Sequence, residues 1–417
     1  MAQARTRRTG TSAKHSSGRT KKATSGSAAG KSSTGKRPSK VTKLGQPSWK
    51  IVTPRIEAYV AEAGGHLGPV TFDRRGAKIS PYAVAPWAEE SVDRANPQII
   101  KTLRGDFFCL PFGGNATAWR GERHPVHGES ANSKWSFVRA GRTDGMTELH
   151  LRLKTRVRRG QVDKHLFFGN DHDAIYQRHV VSGMSGPTSI GHHAMLFFPD
   201  ESGGVISTSP FSYGQVYTAP VELPENRGYS ILKPGAEFDS LEKVPMITGE
   251  TTDVSRYPAR RGYEDLVTIV ADTSTNAPFA WTAVTFPEQK FAWFALKDPK
   301  VLRQTILWIS NGGRHYAPWN GRHVNVMGLE EVTSYFHGGV ADSVEENAFS
   351  RRGIATHVTL DPASPLVVNY IMGVAAIPAG FDRVETIEPE GTGSIVLRST
   401  SGGKSVKVPV KADFLGR

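Results

Sequence analysis

Acidic residues are absent from the first 46 positions of this 417-residue chain; the first is Glu57. Aromatic residues are absent there too, and Val41 and Leu44 are the only large aliphatics. Such a segment, built from Ser, Thr, Gly, Ala and Lys/Arg, cannot bury enough apolar surface to offset its chain entropy. Residues 1–46 are therefore expected to be a disordered basic tail. Of the 52 Lys and Arg residues, 12 fall in it, which leaves 40 against all 39 Asp and Glu. The net charge of +13 and the pI near 9.7 thus belong to the tail and not to the body. A solubilising extension or a tether to nucleic acid or another polyanion fits it. It has no apolar core of a secretory signal and no amphipathic stripe of a transit peptide.

Other absences narrow the body. With Cys109 as its one cysteine, the chain has no internal disulfide and no cysteine zinc cage, and a reducing cytoplasmic location is expected. No run of about 18 apolar residues exists to span a membrane. There is no Walker loop, no Gly-x-Ser-x-Gly elbow and no His-Glu-x-x-His. Helical periodicity is scarce: Ile56–Ala63 is expected to give two turns and Pro299–Thr305 one or two. Gly169–Asp173 resembles a calcium loop only loosely and reads as a polar turn. His165, His172 and His179 show no metal-ligand register.

What remains is rich in strand signals. From Ser48 onward, Gly and Pro punctuate short runs of β-formers, among them WSFVRA, ELHLRLKTRV, HAMLFFP, GYSILKP, DLVTIVAD, FAWTAVTF, TILWIS, LVVNYIMGVA and SIVLRST. In Glu148–Leu153, strict alternation puts three leucines on one strand face. Many short strands at this spacing predict an all-β chain, a large antiparallel sandwich over residues 47–417. The strands after Asp361 either complete the sandwich or form a small appendage.

Three clusters carry candidate chemistry. Gly105–Asn115 is an apolar strand running into a Gly-Gly-Asn turn, followed by a loop dense in polar groups from Glu122 to Lys134, with His127-Gly128 inside it. Gly191-His192-His193 precedes a strongly apolar strand, and alternation sends the two rings to opposite faces. Leu307–Tyr316 carries Trp308 and Arg314, and Val326–Tyr335 carries Gly328-Leu329-Glu330-Glu331. A carboxylate at the edge of such an apolar strand, once buried, is raised toward neutrality and suited to proton transfer.

The order of these clusters resembles the aldose 1-epimerase (galactose mutarotase-like) superfamily over roughly residues 65–345. Leu110–Asn115 matches its Pro-Phe-x-Asn turn, His127-Gly128 its His-Gly, His193 its mid-chain histidine before an aromatic strand, and Glu330 its Gly-Leu-Glu. The resemblance implies a β supersandwich that binds a sugar in a cleft without metal or cofactor. It implies an isomerase in which Glu330 takes the anomeric hydroxyl proton and His193 protonates the ring oxygen. His127 and Asn115 would bind hydroxyls. Trp308, Trp319 and Tyr316 are candidates for stacking on the sugar, Arg314 for binding it, and Asp239 stands for the family's substrate-binding aspartate. Ala116 replaces the usual Arg and Glu331 the usual Pro, so Glu330 or Glu331, and His193 or His192, could face the cleft. A non-catalytic carbohydrate-binding module on the same fold, or a structural protein acting through its polyanion-binding tail, are the competing readings.

Overall fold

The alternation of Glu148–Leu153 becomes one strand of a hairpin. Met146–Thr155 pairs antiparallel with Gly160–Phe168 on one side and Ser136–Thr143 on the other. Leu149, Leu151 and Leu153 all enter the main core, each worth roughly 1.5–3 kcal/mol of burial. The computed structural model describes Ser33, Thr34 and Pro38–Arg417, and two broad antiparallel sheets dominate it. The ten-stranded sheet contains that hairpin, then Ala174–Ser182, Leu366–Ala376, Phe291–Lys297 and Ala280–Phe286 toward its far edge. The seven-stranded sheet runs Glu237–Phe238, Phe211–Val216, Tyr263–Ala271, Gln304–Asn311, Val326–Thr333, Ile190–Phe197 and Phe108–Cys109. Their inner faces share one core, with Leu196, Val267, Leu307 and Leu329 from one sheet meeting Leu151, Trp293 and Met372 from the other.

Besides two two-stranded ribbons, two smaller sheets complete the body. Val384–Glu390, Ser394–Ser399 and Ser405–Pro409 form a three-stranded layer. Its Ile387, Ile395, Leu397 and Val408 cover Trp281, Phe294 and Ile371 on the outside of the ten-stranded sheet. The strands after Asp361 thus do both jobs: Leu366–Ala376 completes the sandwich and the rest forms an outer layer. The other small sheet is a four-stranded meander from Lys40 to Thr71. The described residues from Ser33 onward belong to one compact unit. No helix among the described residues is long and apolar enough to cross a membrane.

Several local expectations are corrected. The meander begins inside the expected tail: Lys40–Lys43 pairs with Gln46–Val52. Leu44 and Gly45, both at positive φ, form the two-residue turn that such hairpins favour. Ordered chain therefore begins before position 46; residues 1–32 and 35–37 of the expected tail, and with them any polyanion contact, lie outside the described residues. The helix expected at Ile56–Ala63 is the strand Glu57–Ala61, hydrogen-bonded on both sides and buried along most of its length. Pairing and burial here override a sequence that reads as helical. Of Pro299–Thr305, the first four residues form a turn closed on the Asp298 carbonyl, and Gln304 and Thr305 already belong to a strand. The GYSILKP segment is a loop touching its neighbours through two isolated bridges. Asp173, in the expected polar turn, is bound by the Arg55 guanidinium.

Candidate functional site

The outer face of the seven-stranded sheet is where alternation collects unusual residues. Ile190, His192, Ala194 and Leu196 point to the inter-sheet core, so His193 and Met195 point outward. On the neighbouring strand Met327, Leu329 and Glu331 go inward, and Glu330 and Val332 outward. The ladder pairs His193 directly with Glu330 and His192 with Glu331. On the next strands Trp308 faces Leu266 across the register, and Gly328 faces Trp308.

These outward residues floor a narrow pocket of about 120 Å³, below the roughly 300–1,000 Å³ usual for drug-sized ligands. The short helix Gln98–Thr102 roofs it with Ile99 and Ile100, and Leu103 and Phe107 continue the apolar wall. Loops supply His127, Val221, Arg314, Trp319 and His337. Asn132 ties roof to loop: its Oδ1 accepts the Ile99 N–H, and its Nδ2 donates to the carbonyls of Val126 and Gly128.

His193 Nε2 lies 3.1 Å from Glu330 Oε1, and both side chains are almost wholly buried. Burial pushes the Glu330 carboxyl well above the usual carboxylate range. Burial, reinforced by His337, lowers His193 to about 3. Both groups are therefore neutral, and between them they hold one transferable proton. Gly328 makes room for this pair: a Cβ there would stand 2.7 Å from Glu330 Oε1 and 3.1 Å from the Trp308 Cβ.

His127, in the left-handed region at φ 57°, accepts the Gly113 N–H on Nδ1 at 3.3 Å. The ring proton is thereby placed on Nε2. Its ring centre lies 5.0 Å from that of His193 and 4.9 Å from that of His337. Burial first, then the neighbouring histidines, holds His127 well below its ordinary value, so it too is neutral. Arg314 stacks 4.5 Å above the Trp319 ring and donates from Nε to Glu222 at 2.6 Å. Burial opposes its charge, but Glu264 and Glu222 hold the guanidinium above its usual range. Glu264 accepts from Trp308 Nε1 at 3.1 Å and from Ser310 Oγ at 2.9 Å. Burial nevertheless raises it to about 7.

Of the expected site residues, His193, Glu330, His127, Arg314 and Trp308 line this pocket, and so does Trp319. Tyr316 stands behind it, its hydroxyl donating to Glu222 at 3.0 Å. Three expected residues stand elsewhere. The Asn115 amide is spent on loop bracing: Nδ2 donates to the carbonyls of Gly113 and Pro125, and Oδ1 accepts the Val340 N–H. His192 is on the core side, 3.1 Å from Asp106 and stacked on Tyr370. Asp239 is exposed beyond the edge strand Glu237–Phe238. Glu331 also faces the core, where it meets Lys297 and accepts from Thr282 and Thr305. Glu264, Glu222 and His337 were not expected. For Glu264 a signal existed, since it stands two residues before Leu266 on the same strand and shares its face. The other two come from loops, where no periodicity operates.

The pocket thus offers a neutral proton-transfer pair, a fixed Nε2–H donor, a guanidinium and an aromatic wall. No family model matches the chain, and no curated protein matches it in sequence. Solved structures do match. A candidate aldose 1-epimerase from Klebsiella pneumoniae aligns with a TM-score of 0.57 at 15% identity, over 79% of this chain and 79% of its own. A candidate aldose 1-epimerase from Escherichia coli K12 gives 0.52 at 14%, over 80% and 100%. A galactose mutarotase-like protein from Clostridium acetobutylicum gives 0.54 at 10%, over 81% and 98%. At such identities the likeness is one of fold, and this chain has the fold of the aldose 1-epimerase and galactose mutarotase-like proteins.

Proposed function

We propose that the chain is a carbohydrate-active isomerase of the aldose 1-epimerase type, interconverting the anomers of an aldose. The observation that carries this reading is the His193–Glu330 pair, 3.1 Å apart at the floor of an open pocket. Ring opening needs one group to take a proton from the anomeric hydroxyl and another to give one to the ring oxygen. The pair holds the single mobile proton this requires. At rest it sits on Glu330. Sugar hydroxyls that donate to the carboxylate favour its transfer to His193, because hydrogen bonds to a charged form stabilise it. Glu330 then removes the hydroxyl proton while His193 protonates the ring oxygen. The ring C–O bond breaks as the carbonyl forms, the carbonyl rotates, and the reverse steps close the ring on its other face. His127 Nε2–H and Arg314 are placed to bind hydroxyls, and Trp308 and Trp319 to pack against the apolar face of the sugar.

The test is anomer exchange, followed by NMR saturation transfer over a panel of aldoses, for wild type, Glu330→Gln and His193→Gln. Exchange above the buffer rate in wild type, reduced about 10²–10⁴-fold in either variant, is expected. Sugar binding with no exchange in wild type would instead make the pocket a recognition site.

A further inference from the structure

A second cluster lies on the other sheet. His150 stands on Met146–Thr155, and Asp163 and His165 stand on the adjacent Gly160–Phe168. Residues two apart on a strand share a face, and His150 and His165 are direct partners across the ladder. All three side chains therefore project from the side of the ten-stranded sheet opposite Leu149, Leu151 and Leu153. One ligating atom from each lies within 4.8 Å of the others. The imidazoles stack with centres 4.0 Å apart. His150 and Asp163 are more than nine-tenths buried.

Two features go beyond proximity. His165 Nδ1 lies 2.8 Å from Glu148 Oε1. A carboxylate only accepts, so the proton sits on Nδ1 and Nε2 keeps its lone pair. Histidine ligates metals through either ring nitrogen, and a carboxylate behind the other nitrogen is its usual support. His150 approaches Asp163 Oδ1 through Nε2 at 2.6 Å, while its Nδ1 is buried with no hydrogen-bond partner. The surrounding charges also discriminate. Arg139 pairs with Glu148, and Arg152 donates to Asp163 at 2.8 Å. With its carboxylates already balanced, the cluster lacks the excess of anionic oxygens that calcium or magnesium requires. Imidazole nitrogens remain, and these suit borderline transition metals.

We propose that His150, Asp163 and His165 form a binding site for a divalent transition metal of the zinc class, with Glu148 as the positioning residue behind His165. The metal takes the place of the His150–Asp163 hydrogen bond and pins the two strands of this hairpin together. The site is independent of the pocket and of the activity proposed for it.

The test is calorimetric titration of the metal-free full chain with zinc chloride. Wild type is expected to bind one equivalent. His150→Ala and His165→Gln should each weaken binding at least about tenfold, and Glu148→Gln by about 10–100-fold. His357→Ala, whose ring bonds a backbone carbonyl elsewhere, should bind as wild type does. No saturable binding to wild type, or binding undiminished in both histidine variants, overturns the proposal. Should a variant fail to fold, cobalt-loaded wild type decides. Hyperfine-shifted ring N–H resonances from two ligating histidines are expected, and their absence refutes the site.

Discussion

Changing Glu330 and Glu331 to glutamine, one at a time, should produce opposite defects from adjacent positions. Glu331 is a buried charge partner: it meets Lys297 between the sheets and accepts from the hydroxyls of Thr282 and Thr305 at 2.6 and 2.7 Å. Glutamine there keeps the shape but leaves the Lys297 ammonium buried without its counter-charge. Removing one member of a buried pair costs about 3–5 kcal/mol. Glu330 has no cation beside it, and burial keeps it protonated. Glutamine replaces a neutral group with a neutral group that can still donate to His193, a change of about 1 kcal/mol or less. Urea unfolding of both variants, followed by circular dichroism, measures the stabilities. Anomer exchange per folded molecule measures the chemistry. Glu331→Gln should unfold at clearly lower urea while the folded fraction works normally; Glu330→Gln should unfold near the wild-type midpoint and be inactive. Equal destabilisation by the two substitutions would refute the reasoning, because Glu330 would then be a structural charge.

The pH dependence of exchange follows from the same pair. With His193 lowered to about 3 and Glu330 raised, the single mobile proton persists across the neutral range, so kcat/KM should show no acid limb between pH 5 and 7; a limb near 6.5 would mean an ordinary, solvated histidine controls the rate. Gly328→Ala inserts a methyl group 2.7 Å from Glu330 Oε1. Overpacking of this kind costs about 1–3 kcal/mol, and kcat should fall with the displaced carboxyl; unchanged kcat would show that the space is spare. His127→Gln should raise KM about tenfold with little change in kcat if its Nε2–H only holds a hydroxyl, since about 1.4 kcal/mol of uniform binding is lost; an equal loss in kcat would place it in the chemistry. Glu264, raised to about 7 from the usual 4.5, holds its proton more tightly folded than unfolded. Its stabilising contribution is complete below about pH 4.5 and is lost as pH rises through 7. Glu264→Gln should therefore remove part of the fall in stability over that window, as urea midpoints at a series of pH values would show.

Much of this arrangement was legible because strand periodicity is two. Once Leu149, Leu151 and Leu153 were given one face, or His192 and His193 opposite faces, the layers followed, whereas which histidine faced the pocket depended on the register of a partner strand more than 130 residues away in the chain. Loop residues had no such guide. Asn115 sits in a turn that looks made for a ligand, yet three backbone groups take its amide. Asp239 stands in no motif that fixes its place, while the carboxylates behind the pocket wall are Glu222 and Glu264. The Ile56–Ala63 segment misled because its neighbours, and not its own pattern, decide its pairing. The His150–Asp163–His165 cluster was invisible along the chain for the same reason: His150 joins the other two across a ladder, not at a ligand spacing.

The back-to-back placement of His193–Glu330 and His192–Glu331 has a consequence for how this protein can change. The same two strands serve as a partition, with reactive groups on one side and a cohesive ionic seam on the other. A single-residue insertion ahead of Glu330 in Val326–Thr333 turns that strand over: it delivers the lone carboxyl to Lys297 and the paired one to the pocket. Drift toward a new substrate is thereby channelled into the roof helix and the loops bearing His127, Val221 and Arg314, which can be rebuilt without turning the partition around.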